Sequence, residues 1–157
     1  MTQSNDRSPL KEATIMPFIK IEQLPDEPIF ICVFEGELVA EDLAEAYVQV
    51  APLWKDDFMA TGCHIIVDSL RVTKVSFIEA LKAVRVSLGQ QAVFSQQMPE
   101  VCWYIVGTSA MAKLYVSSRK LPQFGGVDVP LFVHYEDALD AARTAIAAKR
   151  AHSQKQS

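Results

Sequence analysis

From residue 39 onward, short apolar runs with strand composition alternate with longer runs of helical periodicity, and this alternation narrows the architecture more than any other feature. "VAEDLAEAYVQVAPLW" (39–54) sets Leu43, Tyr47, Val50 and Trp54 at helical spacing. "CHIIVDSL" (63–70) reads as a strand, and "SFIEALKAVRVSL" (76–88) as a helix with Phe77, Leu81, Val84 and Leu88 on one face. "VCWYIV" (101–106) and "VPLFVHY" (129–135) are strand runs. They are followed by the helical runs "SAMAKLYVSSRKL" (109–121) and "EDALDAARTAIAAKRA" (136–151), the latter aligning Leu139, Ala142 and Ile146. Strands that alternate with helices require right-handed crossovers and a largely parallel sheet.

Upstream, "TIMPFIKI" (14–21) and "IFICVF" (29–34) are two strand runs separated by the proline-bearing "EQLPDEP", the pattern of a hairpin. Pro17 lacks a backbone donor and confines the first run to a sheet edge. The expected fold is therefore α/β, ordered ββαβαβαβα, with a central, mostly parallel sheet of five strands, an N-terminal edge hairpin and four helices. Residues 1–13 and 151–157 are polar and aperiodic, and are expected to be frayed tails around a single domain at 14–150.

At 157 residues the chain is long enough for one sizeable core. A formal charge of -4, from 15 basic and 19 acidic residues, argues against nucleic-acid binding, which needs a basic footprint. No apolar stretch reaches membrane-spanning length, and the first residues, "MTQSNDRSPLKEA", lack a secretory signal's apolar run. Cys32, Cys63 and Cys102 all fall in strand runs. An odd count at such positions reads as buried free thiols in a reducing compartment, so the cytoplasm is the expected location.

In open α/β sheets ligands gather where the strands' carboxyl ends meet the helices' amino ends. Here that rim carries Gly36-Glu37, Asp68-Ser69, Gly107-Thr108-Ser109 and Tyr135-Glu136. In "VDSLRVTKVSFIEALKAV" (67–84) the strand is expected to end at Asp68, a short basic loop to follow, and a helix to open at Ser76. Ser76 and Glu79 have the spacing of a capping box, with Val75 placed as a hydrophobic staple. Asp68 is more simply an acceptor for loop amides than an acid or a metal ligand. Gly107, Thr108 and Ser109 form an anion cradle in outline but lack the phosphate-loop ending and the spaced glycines of a dinucleotide site, so an ordinary N-cap is preferred.

His64 and His134 lie in strand runs and His152 in the tail, with no metal-type spacing. Cys63 and His64 are neighbours that a strand points to opposite faces. No cofactor motif, nucleophile elbow or paired carboxylate is present, so catalysis has no positive support. Gly125-Gly126 suit a tight turn. Val86 and Ala92-Val93-Phe94 add apolar residues around the second helix, either packed beneath a loop or forming a partner or dimer patch.

"IFICVFEGELVAEDL" and "VPLFVHYEDALDAAR", in this strand and helix order, resemble the STAS domain superfamily, and within it the SpoIIAA-like group of small bacterial proteins. The likeness spans about residues 14–148 and rests on pattern more than on invariant motif. It implies a non-catalytic α/β domain acting through protein or ligand contacts at the strand-to-helix loops, with some relatives linked by fold to lipid-binding domains. Anti-sigma-factor antagonists of that superfamily carry an Asp-Ser pair opening a helix, whose Ser is phosphorylated. Here Glu79 and Ala80 stand at those positions, and Ala80 has no hydroxyl.

The expected function is thus a regulatory interaction module with a protein partner, a second copy of the chain among the candidates. Its surface would be formed by Gly36, Glu37, Asp68, Ser69, Ser76, Glu79, Ala80, Gly107, Thr108 and Ser109. The alternative is a carrier of a small apolar or anionic ligand, lipid included, in the crevice near Gly107–Ser109. An enzyme ranks third.

Overall fold

The structure, a computed structural model, describes residues 18–97 and 100–157. The opening hairpin pairs β1 (Phe18–Gln23) antiparallel with β2 (Ile29–Glu37), placing Ile19 opposite Phe34 and Ile21 opposite Cys32. Asp26 takes φ 60° in the connecting turn, a conformation that a short polar side chain tolerates. β1 is the edge strand, as the hairpin reading required, while residues 14–17 of that run, Pro17 included, lie outside the described residues.

β3 (Cys63–Lys74), β4 (Val101–Val106) and β5 (Leu131–Phe132) follow in parallel, giving one five-stranded sheet in the order β1-β2-β3-β4-β5. The helices are α1 (Ala40–Val50), α2 (Phe77–Gln97), α3 (Ala110–Arg119) and α4 (Tyr135–Lys155).

Strand alternation sorts the core onto two faces. On one, Phe30, Cys32, Phe34, Cys63, Ile65 and Val67 pack against Ala46 and Val50 of α1 and Val116 of α3. On the other, Ile29, Ile66, Tyr104 and Val106 pack against Ala138, Ala142 and Ile146 of α4. Ile29, Phe30 and Ile66 are completely buried, and each such side chain contributes about 1.5–3 kcal/mol of transfer free energy. α2 leans on α1 and α3 and roofs the sheet face between them.

Several elements depart from the sequence reading. β3 does not stop at Asp68 but continues to Lys74 beside β2. This extension has no apolar run to announce it. It is held by continued pairing to β2 and by cross-strand ion pairs of Arg71 with Glu35 and Lys74 with Glu37. The register steps from Val33–Asp68 to Glu35–Arg71, so β3 carries an extra residue there, a bulge that re-aims the side chains beyond it.

α1 ends at Val50, where Pro52 starts a short 3-10 turn. Trp54 kept the helical spacing only because it still packs on the core, edge-on to Phe58 at 6.0 Å. α2 buries Ala80, Val84 and Ser87, whereas Phe77 is 56% exposed. β5 holds only Leu131–Phe132, so His134 stands at the N-cap of α4 rather than in a strand. α4 in turn runs on to Lys155, through residues read as a frayed tail.

Candidate functional site

A cavity of about 90 Å³ opens along the carboxyl edge of the sheet beneath α2. Its buried end is floored by Phe34, Val67 and Ile105, and its half-buried rim includes Leu38, Val39, Val75 and Met111. The space exists because small side chains face it from three elements: Ala80 and Ala83 on α2, Ala112 on α3 and Ser69 on β3. The β3 bulge adds Val72 to the same wall.

The hydroxyl and carboxylate side chains bordering the cavity each have a partner within the fold. The Ser69 hydroxyl donates to the Val106 carbonyl at 2.8 Å, and the Ser109 hydroxyl accepts from the Ala112 amide at 3.0 Å as the N-cap of α3. The Tyr115 hydroxyl pairs with Ser87 at 2.8 Å. The Glu79 carboxylate accepts from the Ala40 amide at 2.8 Å and from Lys82 Nζ at 2.9 Å. The Ala40 amide, and then Lys82, hold the Glu79 carboxyl below its usual range. Asp42 accepts from the Val39 amide at 2.8 Å, so two leading amides of α1 are capped, one from within and one from α2.

This tie revises the capping box. Ser76 does accept from the Glu79 amide at 3.2 Å, as the spacing implied. Glu79, however, does not reach back to Ser76 but crosses to α1, because the amino ends of both helices converge on the cavity rim. Replacing Ser76 by alanine is expected to cost about 1 kcal/mol, the usual loss for an N-cap, measurable by chemical denaturation. A change within error of zero would remove the capping role.

Of the residues singled out from sequence, Ser69, Glu79, Ala80 and Ser109 line this one cavity. Gly107 sits behind it, so close to Ser69 that a Cβ there would lie 2.5 Å from the Ser69 hydroxyl oxygen. Thr108 is exposed. Gly36, at φ 83°, and Glu37 end β2 beyond the cavity, with Glu37 paired to Lys74 at 3.2 Å. Asp68 is carried to the opposite face from Ser69, where its carboxylate accepts from the Leu70 amide at 3.0 Å. Ser76 stands outside, exposed. The apolar wall formed by Leu38, Val72, Trp103 and Met111 escaped the sequence reading, since apolar residues at strand and helix ends carry no chemical signature.

Away from the cavity, Cys32 and Cys63 are buried free thiols and Cys102 is half-buried. Burial pushes the Cys32 thiol up to about 12 and raises those of Cys63 and Cys102 as well, which removes the thiolate a nucleophile needs. His64 is fully buried on the α4 side, with Nδ1 3.0 Å from the Tyr104 hydroxyl and Nε2 3.2 Å from the Thr61 carbonyl. Among the described residues no group of acidic, cysteine or histidine side chains is placed to hold a metal ion, and no helix is long and apolar enough to cross a membrane. Val93 and Phe94 of the apolar patch expected around α2 lie outside the described side chains.

The fold is similar to that of a solved anti-sigma factor antagonist from Mycobacterium paratuberculosis, with a TM-score of 0.52 at 14% identity over 81% of this chain and 94% of that one. The fold is the STAS, SpoIIAA-like fold. An uncharacterized protein with a SpoIIAA-like fold from Shewanella loihica PV-4 is also similar, with a TM-score of 0.47 at 19% identity over 80% and 93% of the two chains. No family model matches the sequence, and no curated protein matches it.

Proposed function

We propose that the protein is a non-catalytic interaction module that engages a protein partner through the start of α2 and the extended ends of β2 and β3. The observation that carries this reading is the pair Phe77 and Ile78, 56% and 64% exposed at the first turn of α2. Leu70, on the β3 extension, is 46% exposed. Adjacent large apolar side chains left in solvent near ion-paired charges have the composition of a contact surface. The structural neighbour's designation as an anti-sigma factor antagonist supports a regulatory role of this kind.

The module works without a phosphoryl switch at α2. Ala80 offers no hydroxyl and is buried against the cavity, while the Ser76 hydroxyl is engaged with the Glu79 amide.

Changing Phe77 and Ile78 together to serine tests the surface, because exposed positions bear little of the fold's stability. In quantitative affinity capture from the source cells, a partner retained by the wild type is expected to fall about tenfold or more with this variant, a loss of about 1.4 kcal/mol in binding. The thermal midpoint should be preserved. Val48→Ser, at another exposed apolar site on α1, should leave capture unchanged. Equal capture by wild type and double variant would defeat the proposal.

A further inference from the structure

We infer that the cavity beneath α2 is a binding site for an uncharged apolar group, about the bulk of an aromatic ring or a short hydrocarbon chain. The inference does not depend on the partner surface. It rests on what the walls offer and on how the space is kept.

The walls offer almost nothing polar. Ser69, Ser109, Tyr115 and Glu79 border the space and each already has a partner within the fold, which leaves the mainly apolar indole of Trp103 as the other side chain there with a polar atom. A charged or strongly hydrogen-bonding ligand would lose its water and gain no replacement there. An anion would also meet the ionised Glu79 carboxylate on the wall. The anionic alternative for this crevice is disfavoured for the same reason, because the Ala112 amide that an anion would use at the amino end of α3 already donates to the Ser109 hydroxyl.

The space is kept open from several directions at once. Alanines at 80, 83 and 112 and the serine at 69 come from three separate elements, and a larger side chain at any of them would begin to fill it. The β3 bulge turns Val72 into the wall, and the roof helix is tied down at one end by Glu79 to Ala40 and further along by Ser87 to Tyr115. A roof held at two points does not collapse readily onto a vacancy. Enclosed apolar cavities of about 150 Å³ admit benzene. Here the cavity of about 90 Å³ is open at its half-buried rim, where Met111 supplies an unbranched, adaptable side chain.

The test is a methyl-resolved NMR titration of the full chain with two probes, toluene and sodium octanoate. Binding should shift the methyl resonances of Val67, Val72 and Ile105 while leaving Ile146, on the far side of the sheet, unmoved. Ala83→Phe fills the cavity from the roof and Val72→Phe from the facing strand. Each is expected to weaken toluene binding about tenfold or more, and the two together guard against one variant failing to fold. Toluene binding alone identifies a free small molecule as the ligand source, and octanoate binding at the same methyls identifies a lipid tail. Absence of localised shifts with both probes, or undiminished binding in the folded variants, overturns the inference.

Discussion

Gly107→Ala is expected to destabilise the protein by about 2–3 kcal/mol, the sum of overpacking and a lost, partly buried hydrogen bond. The cause is space rather than backbone conformation. A Cβ at Gly107 would lie 2.5 Å from the Ser69 hydroxyl oxygen and 3.2 Å from the Ala112 methyl. Ser69 can yield only by giving up its 2.8 Å bond to the Val106 carbonyl, and Ala112 only by moving the first turn of α3. Chemical denaturation measures the loss. Because the hydroxyl is the nearer obstacle, Ser69→Ala combined with Gly107→Ala should recover about half of it, a coupling that contact between the two sites demands. A single-variant loss below about 0.5 kcal/mol, or strictly additive losses, would show that the wall between β3, β4 and α3 is looser than its distances imply. The same crowding would press Ser69 and Ala112 toward the cavity, so Gly107→Ala should also weaken the toluene response.

The strands and helices were legible in the sequence because burial imposes periods on it. Four helices and five strands follow from apolar spacing alone, and the hairpin follows from two runs separated by prolines. The local caps were legible too. Ser109 caps α3, and Ser76 accepts from the Glu79 amide, because both interactions close within three residues.

What the sequence concealed is long-range. Glu79 reaches Ala40, 39 residues away, and no local rule anticipates that partner. The β3 extension was hidden because Arg71 and Lys74 read as loop until Glu35 and Glu37 are seen beside them. Phe77 was assigned inward by helical spacing, yet α2 turns its small residues inward and leaves Phe77 in solvent. The cavity is the hardest feature to read of all. It is made by what Ser69, Ala83 and Ala112 lack, and those residues meet only in the folded chain.

At His64, pH should govern stability in the mildly acidic range. The Thr61 carbonyl can only accept, so the proton of the neutral ring sits on Nε2, and Nδ1 accepts from the Tyr104 hydroxyl. Burial lowers the imidazole's pKa against the opposing hydrogen bond to the Thr61 carbonyl, with Lys149 lowering it further and Glu100 raising it. The unfolded chain therefore binds a proton below about pH 6.5 that the native protein refuses. Stability is complete above that pH and falls on acidification, by up to about 1.4 kcal/mol per pH unit, until the folded pKa is reached. Glu79 and Glu27 titrate lower, since hydrogen bonds to their ionised forms depress both carboxyls, so their contribution enters only on further acidification. His64→Leu should cost about 2–4 kcal/mol at neutral pH, because it strands the Tyr104 hydroxyl and the Thr61 carbonyl in the core. It should also flatten the stability profile just below about pH 6.5. Urea melts across that range decide the matter: a wild-type profile as flat as the variant's would mean that the buried ring takes up its proton in place, with Tyr104 turning its oxygen to accept.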